Sequence, residues 1–258
     1  MRIFHTLLIT VLIFISAGFS YPQAHRDILY QTSTIDALLQ GVYDGEIAFR
    51  ELKQHGDFGL GTFNCLDGEM IALEGEFYQI RADGKVYPVL ESTRTPFAVV
   101  TFFAPDKTAT LNDTKNLGQL EHYLERLLPT KNIFYAIKIE GSFTYAKTRS
   151  VPKQSKPYPP LVEVTKNQPI FELYNVEGTM VGFRCPAYIK GINVPGYHFH
   201  FVTEDRRAGG HVLDIQTRDI VIEIDYTSQF FLVLPGGGEF YELNFFNEKH
   251  TDIKEVER

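Results

Sequence analysis

The sequence predicts a strand-rich α/β protein of α+β character. It places a mixed sheet in the N-terminal half and a small antiparallel, barrel-like sheet in the C-terminal half. Three observations support this expectation. The chain of 258 residues has 14 Tyr and 21 Phe beside 20 Gly and 13 Pro, a composition that suits many short strands closed by turns. Helical periodicity is confined to the first half. A run from Val151 to Pro160 holds Pro152, Pro157, Pro159 and Pro160, and so interrupts sheet and helix alike. The expected divisions are residues 1–20, a signal segment; 21–151, an N-terminal α/β domain; 152–169, a proline-rich linker; and 170–258, a C-terminal β domain with a charged tail.

The elements follow in order. Met1-Arg2 precedes an apolar stretch from Ile3 to Phe19 that ends among Ser16, Ala17, Gly18 and Ser20. That is the layout of a secretory signal cleaved after Ser20 or Gly18; the alternative is an uncleaved anchor. Cleavage would make the mature protein secreted or periplasmic, with no membrane partner. Ile35, Leu38, Leu39 and Val42 fall at helical spacing behind Ser33 and Thr34, so residues 34–42 read as a helix. A second helix is expected over Glu46–His55, ending at Gly56. The period then changes, and Gly59–Phe63, Met70–Leu73, Phe77–Arg81, Val86–Val89 and Ala98–Phe103 read as strands, with turn residues at Asp67-Gly68 and Asp83-Gly84. Asn116–Leu128 has the strongest helical pattern and stops at Pro129. Ile133–Ile139 and Phe143–Ala146 return to strand. Beyond the proline run, Ile170–Asn175, Thr179–Phe183, Tyr197–Thr203, His211–Gln216, Asp219–Asp225 and Phe230–Leu234 suggest a small barrel or folded sheet.

Composition excludes several classes. Hydrophobic residues at 44% and charged residues at 22% allow a packed core. A formal net charge of −7 argues against a nucleic-acid partner. Cys65 and Cys185 are the sole cysteines and form no Cys-x-x-Cys pair, which rules out a zinc finger or a disulfide scaffold. Two free thiols are the expected state, although export would permit a bond.

Three of the eight histidines cluster at His198, His200 and His211. His198 and His200 are two apart on an expected strand, so both face one side, while Tyr197, Phe199 and Phe201 face the other. The polar, glycine-containing stretch from Thr203 to Gly210 reads as a hairpin loop that returns His211 beside the pair. Three converging imidazoles with an open fourth position form the pattern of a catalytic zinc site. Manganese, iron and copper also take imidazole, and an exposed polar strand face is the simpler alternative.

At these residues the chain resembles bacterial α-acetolactate decarboxylase. The likeness runs through Gly191–Arg206 and Gly209–Asp214. It extends to His55–Phe63, Leu66–Glu69, Glu74–Tyr78, Lys147–Arg149, Pro157–Leu161 and Gly182–Pro186, and spans the chain from about Leu29 to the tail. The resemblance implies decarboxylation of 2-acetolactate to acetoin and CO2, with Zn2+ held by His198, His200 and His211. It also implies active-site roles for Glu69, Arg149 and Thr62 and for a tail glutamate at Glu257, with Glu255 as the alternative. A two-domain α/β fold, usually dimeric, comes with it, and a homodimer is expected.

The implied chemistry suits these residue types. Loss of CO2 leaves an electron pair that must flow into the neighbouring ketone, giving an enediolate. A Lewis acid can stabilise that charge. Arg149 offers a planar fork for the substrate carboxylate. Glu69 and Arg149 are rival proton donors. Two other readings use the same histidines: an exported zinc hydrolase with Glu69 as base, and a metal-binding barrel without turnover.

Overall fold

The computed structural model describes residues 26–245 together with Ile253 and Val256. The expected signal segment, residues 1–20, lies outside the described residues, as do Glu255 and Glu257. Two sheets pack face to face. The strands of the first are β1 (Ile28–Thr32), β3 (Phe58–Thr62), β4 (Glu69–Leu73), β5 (Glu76–Ile80), β6 (Val86–Pro88), β8 (Ala98–Thr101) and β14 (Gln229–Val233), in the order β14-β1-β8-β3-β4-β5-β6. All pairings are antiparallel except β1 with β14, so this sheet is mixed. β2 (Ile47–Ala48) and β7 (Arg94–Thr95) form a separate short ribbon.

The second sheet holds β9 (Lys107–Leu111), β10 (Phe134–Arg149), β11 (Ile170–Cys185), β12 (Gly196–Thr203) and β13 (Gly209–Thr227), all antiparallel. β10 pairs with both β11 and β13, and β12 bridges those same two strands, which closes a four-stranded ring. The barrel-like expectation for the C-terminal half is met by this closure. Between the sheets lies one core, with Leu60, Ile71 and Leu73 meeting Ala136, Val181, Phe183 and Val202. The far face of the second sheet is covered by α3 (Leu117–Leu127) through Leu120 and Leu124. The far face of the first is covered by α2 (Phe49–Leu52) through Phe49 and Leu52.

Local chemistry explains the helix ends. Thr34 caps α1 (Ile35–Leu39) by accepting from the Ala37 N–H at 3.2 Å. Asn116 and Gln119 form a reciprocal capping box on α3. α4 (Leu161–Thr165) and α5 (Glu239–Glu242) are single turns.

Several expectations are corrected. The helix over Glu46–His55 shrinks to Phe49–Leu52, because Ile47 and Ala48 pair with Thr95 and Arg94 instead. The strand pairs expected at 133–139/143–146, 170–175/179–183 and 211–216/219–225 are single strands of 16, 16 and 19 residues. The first and third carry register shifts that read as breaks, for example between Gly141 and Phe143. The proline run does not divide the sheets. It returns the chain from β10 to its antiparallel neighbour β11, while β14 crosses over to join β1 in the first sheet. β9 and β10 precede the run and lie in the second sheet. Both cysteines are free thiols, and burial pushes Cys185 up to about 12.

Candidate metal centre and active site

The site lies where the two sheets meet. β12 and β13 form the hairpin expected from Thr203–Gly210, and His200 sits directly opposite His211 in its register. His198 shares the face of His200, two residues earlier, while Phe199 and Phe201 pack into the core on the other side. The three rings approach to centroid separations of 4.9–5.4 Å. One nitrogen from each lies within 4.8 Å of the others. His198 Nε2 is 3.1 Å from His211 Nδ1. Two nitrogens on one tetrahedral zinc, each bound at about 2.0–2.1 Å, stand roughly 3.3 Å apart, so this spacing fits a shared ion.

The lone pairs of His198 and His200 are available. Burial, helped by the nearby Arg149 charge, pushes His198 down to about 3. Burial first, then the His198 and Arg149 charges, hold His200 well below its ordinary value, against the opposing pull of the Met70 carbonyl. Neutral imidazole is the ligating form. His200 Nδ1–H donates to the Met70 carbonyl at 2.8 Å, which leaves Nε2 to face the cluster.

The first sheet supplies the opposite wall. Glu69 begins β4 directly opposite Thr62 at the end of β3. The Thr62 hydroxyl donates to the Gly68 carbonyl at 2.7 Å and so ties down the turn that leads into Glu69. Arg149 ends β10 and is the register neighbour of His211 on β13. Its Nη1 donates to Glu69 Oε1 at 2.8 Å, and its Nη2 donates to the Val256 carbonyl at 3.0 Å. Glu69 Oε2 stands 3.5 Å from His200 Nε2. The ion pair is almost dry, with side-chain exposures of 4% for Arg149 and 8% for Glu69. Arg149 Nε is buried and has no hydrogen-bond partner among the described residues.

Thr62, Glu69, Arg149, His198, His200 and His211 therefore border one small cavity. Its remaining walls are mainly apolar, from Ile35, Leu38, Leu66, Phe97, Leu161 and Val256. Sequence reasoning missed Val256 and the apolar wall. A signal for Val256 existed: Ile253 and Val256 are apolar, three apart, in a charged tail, and both pack against the core between the sheets.

The fold and this cavity define a class: an enzyme of two packed sheets with a small, dry, three-histidine site. The alpha-acetolactate decarboxylase family model matches residues 29–247. The chain is 52% identical over 232 residues to the alpha-acetolactate decarboxylase of Methanosarcina mazei, covering 90% of this chain and 81% of that one. It is 47% identical to that of Bacillus subtilis strain 168, covering 89% and 90%. The crystal structure of the Bacillus subtilis protein superposes with a TM-score of 0.87 at 45% identity, covering 89% of this chain and 99% of that one. The chain belongs to the alpha-acetolactate decarboxylase family, and its activity is the decarboxylation of 2-acetolactate. The hydrolase and binding-barrel readings give way to it.

Proposed function

We propose that 2-acetolactate is decarboxylated to acetoin and CO2 in the cavity between the sheets, with zinc held by His198, His200 and His211. The observation that supports this most directly is the convergence of three buried imidazoles and a buried guanidinium on one cavity. A dipositive ion held there supplies Lewis-acid stabilisation of the negative charge that decarboxylation moves onto the ketone oxygen.

The chain's own residues do the rest. Arg149 takes the substrate carboxylate, and its unpartnered Nε–H is a donor still open to it after Nη1 bonds Glu69 and Nη2 bonds Val256. Glu69 and Arg149 are the rival proton donors at the cavity wall, and a proton passed through one of them reaches the carbon that loses CO2. Thr62 holds the Gly68–Glu69 turn through its hydroxyl. The apolar wall keeps water out, which strengthens each of these electrostatic contacts. The family resemblance assigns a tail glutamate to the site, Glu257 with Glu255 as the alternative, and the burial of their neighbour Val256 at the cavity supports that assignment.

Two further assignments belong to this reading. Residues 1–20 direct export, supported by their signal-like pattern; among the described residues no helix is long and apolar enough to cross a membrane. The enzyme is a homodimer, supported by the edge strand β14, which presents the exposed Phe231.

The test combines metal analysis with acetoin and CO2 release from racemic 2-acetolactate, before and after chelation, with His198→Ala alongside. One zinc per chain, chelator-sensitive turnover and an inactive variant are expected. Full turnover in metal-free protein would refute the zinc assignment. Product chirality and rate in Glu69→Gln and Arg149→Lys then identify the proton donor, and wild-type behaviour in both would refute both roles.

A further inference from the structure

Glu69 belongs to the first sheet and Arg149 to the second, so their ion pair depends on the spacing between sheets. Ser150, the residue after Arg149, is fully buried. Its hydroxyl donates to the Ile80 carbonyl at 2.8 Å. Ile80 is on β5, directly opposite Glu69 in the β4–β5 register. The same carbonyl oxygen presses on the turn before Glu69: a Cβ added to Gly68, whose φ is +90°, would lie 2.2 Å from it. The Ser150 bond thus crosses from one sheet to the other, one residue from Arg149 and one strand from Glu69. On the far side of Glu69 the His200–Met70 carbonyl bond makes a second crossing. Thr148, flanking Arg149 on the other side, is also fully buried and donates to the Gly209 carbonyl at 3.0 Å, which holds β10 to β13.

We propose that Ser150 is a positioning residue for decarboxylation, its hydroxyl setting the spacing between sheets at which Arg149 meets Glu69 and the substrate carboxylate. This rests on the roles given above to Arg149 and Glu69. The histidines are held without it, because His198, His200 and His211 belong to the β12–β13 hairpin and His200 has its own anchor on Met70. The Ser150 bond therefore bears on the orientation of Arg149 and leaves metal affinity untouched. Displacement of a catalytic contact by about 1 Å from a remote change costs up to about a hundredfold in rate.

The experiment compares the full-length wild type with Ser150→Ala and Ser150→Cys. Three quantities are read: kcat and KM for 2-acetolactate, zinc affinity by competition with a chromogenic chelator, and the 15N–1H resonance of Arg149 Nε, assigned by its loss in Arg149→Lys. Ser150→Ala is expected to lower kcat by roughly tenfold or more, by a larger factor than KM rises, with unchanged zinc affinity and a shifted Nε–H resonance. Ser150→Cys, with a weak donor of similar size, should recover part of the rate. A folded Ser150→Ala protein with wild-type kcat and an unmoved resonance overturns the proposal. So does a parallel loss of kcat and zinc affinity, which would make Ser150 a general support of the fold. If the wild type forms no acetoin, the reading of the reaction fails separately, and the Arg149 resonance still decides whether Ser150 positions that side chain.

Discussion

Replacing Asp225 with Asn should stabilise the protein at alkaline pH and lose that advantage in acid. Asp225 lies on β13 with no solvent exposure. Its Oδ2 accepts from the Ala104 N–H at 3.0 Å, while Oδ1 is buried without a partner among the described residues. Burial, with the charges of Asp106, Asp27 and Asp57, pushes the carboxyl up to about 7 from an ordinary 3.8. At about 1.4 kcal/mol per tenfold change in acidity, that difference amounts to roughly 4 kcal/mol. The acid is raised, so its stabilisation is fully present below about pH 4 and is lost as pH rises through about 7. Asparagine mimics the neutral acid: its oxygen can keep the Ala104 bond and its amide takes the place of the protonated oxygen. Urea unfolding at pH 5 and pH 8 checks this. The advantage of Asp225→Asn over the wild type should grow by roughly 2.5 kcal/mol between the two values. An advantage that is equal at both pH values, or a variant less stable at pH 8, would refute the assignment of a neutral buried carboxyl.

Two other outcomes follow from the site. Arg149→Met in metal-free protein leaves the Glu69 carboxylate buried without its guanidinium and should cost about 3–5 kcal/mol; adding Glu69→Gln should restore more than half of it, as a double-mutant cycle in urea would show. Gly210→Ala should destabilise by about 2 kcal/mol or more and weaken metal binding at the proposed ligand His211, because Gly210 has φ +140° and its new Cβ would lie 2.3 Å from the Arg149 carbonyl oxygen; calorimetry and the chelator competition read both effects.

The histidine cluster was legible because its geometry is local. His198 and His200 share a strand face by the two-residue repeat, and a polar loop of hairpin length brings His211 opposite His200. Glu69 and Arg149 were reached only through motif resemblance. They are separated by 80 residues and come from different sheets, and neither periodicity nor spacing reports such a contact. The long strands β10 and β13 read as two strands each because the register shifts around Gly141 in β10, opposite Thr217–Ile220 in β13, interrupt the strand pattern in sequence. The parallel pairing of β14 with β1 was illegible for a similar reason: it joins the two ends of the described chain, and no local pattern encodes a partner so distant. The proline run reads in sequence as a linker between halves, but a break in the chain need not be a break between sheets when the flanking strands pair with each other.

The distribution of the site over two sheets has a consequence for what activity reports. Three imidazoles on a single hairpin can gather a metal wherever that hairpin folds. Decarboxylation as proposed asks for more, because Arg149, the proposed carboxylate binder, ends β10 while Glu69, its ion-pair partner, begins β4. Only the docked sheets bring them to 2.8 Å, and a dry pair of this kind tolerates separation poorly, since each partner would be left as an uncompensated buried charge. The ion pair therefore couples sheet docking to the orientation of Arg149. Metal binding should be the more robust property and turnover the more fragile one. Mild destabilisation of the interface between sheets should produce a metal-loaded, folded and slow enzyme before it produces an unfolded one.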